Sequence, residues 1–394
     1  MATRIGSGAS TRSEVIAAAT EATQVALSRI GGGRPAFGFL FAGPQYDLRR
    51  AMRATKEASG NAAIVGSSTA GEFTEAGLQH NGMVVMLVAS DGTSHHVAFA
   101  EGLKDNHKKV ANDLGSALPD ARRLARAQGR HHLTTVLLTD GLAGTGEELV
   151  AKMFENSSSG RQIVGGAAGD EGGFQETVVG AGAQATTNAA AALHVFSNKP
   201  WGIGVDHGLR PTTKQMRVTR ASGNVVHEID EAPAFEVYQR HAAERHVRLT
   251  PQSAGPYMIA NELGLHFFDR IMRARAPLSV GADGSLRCAA TIPEGSLVTI
   301  LDGDPTSMVQ AAKRAAEEAR DRLGGAKAAG VLVFDCVCRG MILKDRFQDE
   351  IEAVRSVFGD APIAGFLTYG EIAKYAGLLD GWHNSTAVVA AIPA

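Results

Sequence analysis

Three stretches of the chain close a glycine-opened turn on a Gly-acid pair: Gly66-Ser-Ser-Thr-Ala-Gly71-Glu72, Gly165-Gly-Ala-Ala-Gly169-Asp170 and Gly365-Phe-Leu-Thr-Tyr-Gly370-Glu371. Glycines at the end of a strand let backbone N–H groups approach a ligand without interference from Cβ. The following acid can accept from a ligand amine or hold its own turn through backbone N–H groups. Gly71, Glu72, Gly169, Asp170, Gly370 and Glu371 are therefore candidate ligand-binding residues. A second concentration of polar groups is Asp206-His207-Gly208-Leu-Arg210-Pro211. Imidazole can ligate a metal or haem iron, and a guanidinium can hold a carboxylate in bidentate fashion. His207 is thus a candidate haem ligand, and Arg210 and Arg339 are candidate counter-charges. His383 joins the set because His80-Asn81 and His383-Asn384 recur before the closing strands of two of the stretches.

Catalysis has weaker support. Cys336 with His383 and Glu371 could supply nucleophile, base and orienter, and Cys336 and Cys338 at the end of a strand could face together. Nothing local activates the thiols, and a lone Cys-x-Cys lacks the second ligand pair of a zinc site. Walker, GxSxG, HExxH and dinucleotide fingerprints are absent in the proper context. The expectation is a binding protein, not an enzyme. His95-His96 and His131-His132 are read as surface imidazoles.

The candidate residues lie on a repeated framework. Phe37–Phe41, Thr134–Leu138 and Val331–Phe334 read as buried strands, each followed by a helix, a second strand and the Gly-acid turn. From strand start to the last glycine the copies span 34, 35 and 39 residues (37→71, 134→169, 331→370). Duplication of one supersecondary unit accounts for this. Thr11 with Glu14 and Thr145 with Glu148 read as capping boxes, and Asp304-Pro305 opens an Ala-rich helix. Residues 1–10, small and polar, read as a disordered tail. The predicted architecture is mixed α/β (α+β). It has an N-terminal tail and helix (1–32) and two pseudo-repeated modules (33–222 and 223–394), each a mixed sheet with packed helices, with a ligand cleft between them.

Composition narrows the function classes. A formal net charge of −2, without a basic stripe, argues against nucleic acid as a partner. Three cysteines suit a reducing compartment rather than a disulfide scaffold. No apolar run reaches the ~20 residues that span a bilayer. A cytoplasmic address without membrane insertion is expected.

The turns quoted above, together with Thr139-Asp140-Gly141, Asp206–Pro211, Cys338-Arg339-Gly340 and His383-Asn384, occur in an order that resembles the FIST family of intracellular signalling proteins. The resemblance implies a stand-alone sensory protein that binds a small ligand, such as an amino acid, and signals to a partner protein. It also raises an alternative, a haem-based nitric oxide sensor that regulates a histidine kinase and cyclic-di-GMP signalling. Leu209 stands where the family frequently has Trp, which removes a stacking surface for a planar ligand.

Overall fold

The computed structural model describes residues 3–157, 161–267, 270–375 and 380–394. The first copy of the repeat runs β1 (Arg4–Ser10), α1 (Val15–Ile30), β2 (Phe37–Ala42), α2 (Leu48–Ala58), β3 (Ala63–Ser68), a hairpin β4 (Glu72–Thr74) and β5 (Gly77–Gln79), and β6 (Met83–Ala89). The second runs β7 (Thr93–Glu101), α3 (His107–Gly115), α4 (Leu118–Ala127), β8 (His132–Thr139), α5 (Gly146–Glu155), β9 (Arg161–Ala167), a hairpin β10 (Val179–Ala181) and β11 (Gln184–Thr186), and β12 (Ala189–Ser197). The third opens with β13 (Gly202–Asp206) and is then interrupted. The inserted segment holds β14 (Arg210–Pro211), β15 (Met216–Ser222), β16 (Val225–Ile229), β17 (Ala232–Pro233), α6 (Ala234–Ala243), α7 (Ala254–Ala260), β18 (Leu263–Phe267), β19 (Arg270–Arg275), β20 (Pro277–Val280), β21 (Leu286–Cys288) and β22 (Leu297–Asp302). The copy resumes with α8 (Pro305–Asp321), β23 (Ala328–Cys336), α9 (Val337–Leu343), α10 (Phe347–Phe358), β24 (Ile363–Thr368), a hairpin β25 (Glu371–Lys374) and β26 (Gly381–His383), and β27 (Ala387–Pro393).

Each copy builds a sheet around a parallel pair, β2–β3, β8–β9 or β23–β24, with the crossover helix outside. The hairpin after each Gly-acid turn does not return to its own sheet. Hairpin β4–β5 extends the third sheet beside β24, β10–β11 extends the first beside β3, and β25–β26 extends the second beside β9. Every copy thus covers the open edge of another, closing a cyclic, three-fold arrangement in which no parallel pair is left with a bare edge. The inserted segment forms the fourth sheet, β19-β18-β22-β15-β16-β21-β20.

Strand alternation distributes the core. Phe37, Phe39, Phe41, Val84, Val136, Leu138, Leu332 and Phe334 point into one interior shared by the three sheets. Their neighbours Leu40, Val85 and Leu87 face α1 and α2, and Leu137 and Val333 face the helices of the other copies.

Residues 4–10 are not a disordered tail, while residues 1 and 2 of the expected tail lie outside the described residues. Arg4–Ser10 pairs antiparallel with β6, from Arg4 opposite Ala89 to Ser10 opposite Met83. The small residues that read as disorder serve close packing. A Cβ on Gly6 or Gly8 would lie 2.0 or 2.1 Å from the carbonyl oxygens of Ala26 and Ala22 on α1. The third copy repeats the device: a Cβ on Gly202 or Gly204 of β13 would lie 1.7 or 1.9 Å from the carbonyl oxygens of Ala319 and Ala315 on α8. Gly204→Val is accordingly expected to destabilise by about 1–3 kcal/mol or more, measured as a lower urea midpoint at unchanged slope. The Thr11 box also differs: Glu14 is itself the N-cap of α1 and accepts from Ala17 N at 2.8 Å. Thr145 caps α5 without a side-chain bond, because its hydroxyl donates to the Leu103 carbonyl instead. Asp304 caps α8 as expected, accepting from Ser307 N at 2.9 Å.

Candidate functional site

The three Gly-acid turns meet at the centre of the ring and bond to one another through backbone groups. Ala70 N donates to Leu367 O at 3.0 Å and Leu367 N to Gly71 O at 2.7 Å. Gly169 N donates to Ser68 O, Glu171 N to Thr69 O, Tyr369 N to Ala167 O and Ala167 N to Gly370 O, all at 2.8–3.1 Å. The glycines permit this turn-on-turn contact: a Cβ on Gly169 would lie 2.7 Å from Ala70 N, and one on Gly370 2.1 Å from the Trp382 ring. The N–H groups that could have met a ligand are spent on neighbouring turns.

The acids close their own turns. Glu72 is fully buried and accepts from the Thr69 hydroxyl at 2.5 Å and from Gly82 N. Glu371 repeats the pattern with the Thr368 hydroxyl at 2.6 Å and Thr386 N at 3.2 Å. Burial pushes Glu72 up to about 8 and drives Glu371 well above the usual carboxylate range. Asp170 differs. Burial raises its pKa, but the Tyr369 hydroxyl and the N–H groups of Gln175, Glu176 and Phe174 outweigh that and hold it below its ordinary value. Asp170 thereby ties loop 170–176 to Tyr369, and Phe174 stacks on that tyrosine at 4.6 Å between ring centres.

Arg339 has no exposed surface and is fully engaged within the fold. It pairs with Glu350 at 2.6 Å and Asp335 at 2.9 Å, and donates to the carbonyls of His207, Ser385 and Met308. Arg210 is exposed on β14, on the fourth sheet. His207 Nδ1 accepts from Leu209 N at 2.9 Å, so the imidazole closes its own turn. His383 is buried and lies opposite Glu371 in the β25–β26 ladder. Cys336 ends β23 and reaches both Glu371 and Cys338, which begins α9; the thiols meet across a strand-to-helix junction, not along one strand face. His95 and His131 are exposed as expected.

Of the sequence-derived candidates only the two thiols, Cys336 and Cys338, line a pocket of about 370 Å³ at the carboxyl ends of β8 and β23; the acids, arginines and histidines proposed for ligand binding do not. Its walls come from the second copy (Gly141, Leu142, Phe174), the third (Cys336, Cys338, Met341, Tyr369, Asn384) and the inserted segment (Ile259, Leu278). Phe174, Leu278 and Met341 are 47, 43 and 41% exposed, which places three of the molecule's exposed large apolar side chains around this opening. Asn384 is 1% exposed, and its side-chain oxygen has no hydrogen-bond partner. Behind the wall, Glu262 accepts from the Ser385 hydroxyl, and burial lifts it to about 8. Sequence reasoning missed Asn384 although it stands beside His383 in the recurring His-Asn pair. Glu262 and Phe174 carry no local signal, and Tyr369 was read only as part of its turn, because three distant chain segments bring them together.

No curated protein matches the sequence. Among solved structures, the chain has a 10% identical likeness to cyanuric acid hydrolase from A. caulinodans, covering 50% of this chain and 71% of that one with a TM-score of 0.30. Phosphoribosylformylglycinamidine synthase II from Thermotoga maritima is 9% identical over 99% of this chain and 72% of that one, with a TM-score of 0.24. Family models match most of the chain: the FIST N domain over residues 36–232 and the FIST C domain over 234–374. The pocket draws on both matched regions, and FIST domains are sensory domains of signal transduction. With both of its domains present in order, the chain belongs to the FIST family.

Proposed function

We propose that the protein is a sensor that binds a small, uncharged, flat molecule in the pocket between its two family domains and reports occupancy to a separate signalling protein. The observation that carries this reading is the buried Asn384 oxygen, left without a donor beside an otherwise apolar pocket. A buried acceptor without a partner costs about 1–3 kcal/mol, which a ligand N–H or O–H recovers. The stacked Phe174–Tyr369 pair supplies an aromatic wall. No Lys or Arg is among the lining residues, so an amino acid's carboxylate would be left unpaired there. A ligand touching Leu142 and Phe174 on one side and α9 on the other couples the two domains. The partner is a signalling protein, such as the histidine kinase that the family resemblance suggests. Among the described residues no helix is long and apolar enough to cross a membrane, and we take the cytoplasm as the working address.

Haem fits these residues poorly. His207 spends Nδ1 and its carbonyl on the turn and on Arg339, and it does not line the pocket. Catalysis by Cys336 is disfavoured too. Burial, then the neighbouring Cys338, drives its pKa well above the usual thiol range, so thiolate is scarce. The deciding measurement is thermal shift with indole as the probe. Saturating indole is expected to raise Tm by about 2–4 °C, and Asn384→Leu to remove most of that rise. An unmoved Tm, together with a haem-dependent visible band that His207→Ala abolishes, would sink the reading in favour of haem.

A further inference from the structure

Three arginines are buried among the described residues, and they are not treated alike. Arg275 is 2% exposed and meets Glu147 at 2.7 Å; Arg339 meets Asp335 and Glu350. Arg161, 7% exposed at the start of β9, has no carboxylate partner among the described residues. Its one hydrogen bond is a long 3.4 Å contact to the Thr135 hydroxyl, which is already shared with His194, and its Nε has no partner. A buried, uncompensated guanidinium costs several kcal/mol, and a second cation is close by. Burial first, and then the charge of Arg122, lowers Arg161 to about 10. His194 offers no relief. It is held neutral by burial and by Arg161, with its ring nitrogens on Thr135 and the Leu114 carbonyl.

Arg161 and Arg122 both line a cleft of about 550 Å³ between α3, α4, α5 and the starting ends of β8 and β9. Among the described residues no acidic side chain lines it. Leu118, Pro119, Leu133 and Met153 form apolar walls. We propose that this cleft is a second ligand site, which binds the oxyanion of a small organic acid on Arg161 and Arg122 and its hydrocarbon body on those walls. A carboxylate supplies the charge-assisted bonds the guanidinium lacks, and the apolar walls favour a carboxylic acid over inorganic phosphate. The site is independent of the Asn384 pocket. β8 and β9 run between the two, with Leu133 and Arg161 at one end and Gly141 beyond the other, roughly 25 Å apart at ~3.3 Å per residue.

The test uses the full chain, hexanoate and inorganic phosphate as probes, and chloride at matched ionic strength as the control. Hexanoate is expected to bind saturably by calorimetry and to raise Tm, with Arg161→Met weakening it by about tenfold or more. Without any probe, Arg161→Met is expected to match or exceed the parent in Tm, as replacement of an unpaired buried cation should. Ser116→Asp, an exposed position on the rim, puts a competing carboxylate beside the cations. It should abolish the hexanoate response while leaving the fold and the indole response intact. No hexanoate binding by about 10 mM, equal binding in parent and variants, or a response to phosphate alone would each overturn the proposal.

Discussion

Arg339→Met is expected to lower the unfolding free energy by about 3–5 kcal/mol, read as a fall in the urea midpoint. Among the described residues the guanidinium is the only positive charge in direct contact with two buried carboxylates, Asp335 and Glu350. It also anchors three chain segments through carbonyls: the turn at His207, the first turn of α8 at Met308, and the turn before β27 at Ser385. Burial, then the neighbouring Glu350, drives Asp335 far above the usual carboxylate range, so the pair retains a proton and Arg339 balances one remaining charge. Removing Arg339 strands that charge and three carbonyls in a dry interior. Adding Glu350→Gln to Arg339→Met should recover part of the loss, because one stranded carboxylate goes with it. A ligand counter-charge behaves oppositely: its loss would spare the urea midpoint and remove only the response to ligand. A change below about 1 kcal/mol would therefore return Arg339 to the binding role its sequence position suggested.

The second large effect is a loss of stability as pH rises. Glu72 and Glu262 sit at about 8 in the folded protein, against an ordinary value of 4.5, chiefly through burial. Between those values the folded state keeps protons that the unfolded chain has released, so stability falls with rising pH. The contribution is complete below pH 4.5 and gone above about 8. At about 1.4 kcal/mol per pKa unit, each group accounts for several kcal/mol. Histidines act in the other direction at lower pH. His194 is lowered to about 3 by burial and then Arg161, so its share of stability is lost as pH falls below the ordinary 6.5. The clean window for the carboxyls is therefore pH 6.5 to 8. Urea midpoints should decline across it, and Glu72→Gln with Glu262→Gln should flatten the slope. A glutamine at 72 reproduces the protonated acid, with its amide donating to the Thr69 oxygen and its carbonyl accepting from Gly82 N. A flat profile in the parent protein would mean that these carboxyls are ionised in place.

Much of the framework was legible because its rules are local. Phe37–Phe41 was readable to within one residue of β2, and the strand–helix–strand units and their three turns followed from apolar runs and glycine stops. β1 was not legible, since a strand of small residues looks like a tail until the Ala-rich α1 lies against it. The Gly-acid turns were found as a group, and of the two roles open to their acids the structure shows the closing of the turn. Sequence shows an acid after a glycine, but not that Thr69 and Thr368 satisfy it or that the adjacent N–H groups bond to other turns. The same holds for Arg339, whose two partners lie 4 and 11 residues away but face it only once β23, α9 and α10 have packed.

What the sequence determined by itself is the unit: a strand, helix, strand and glycine turn repeated three times, because side-chain period and backbone freedom are properties of short segments. Only the tertiary structure decided how the units join. Each hairpin pairs with a sheet other than its own, a choice made by which edges are left open when three twisted sheets close around one core. That exchange sets the turns back to back and leaves the pocket beside Asn384, where residues from three distant segments meet. It also leaves Arg161 buried without an acid, which no pattern along the chain could reveal, since a missing partner is a fact about space.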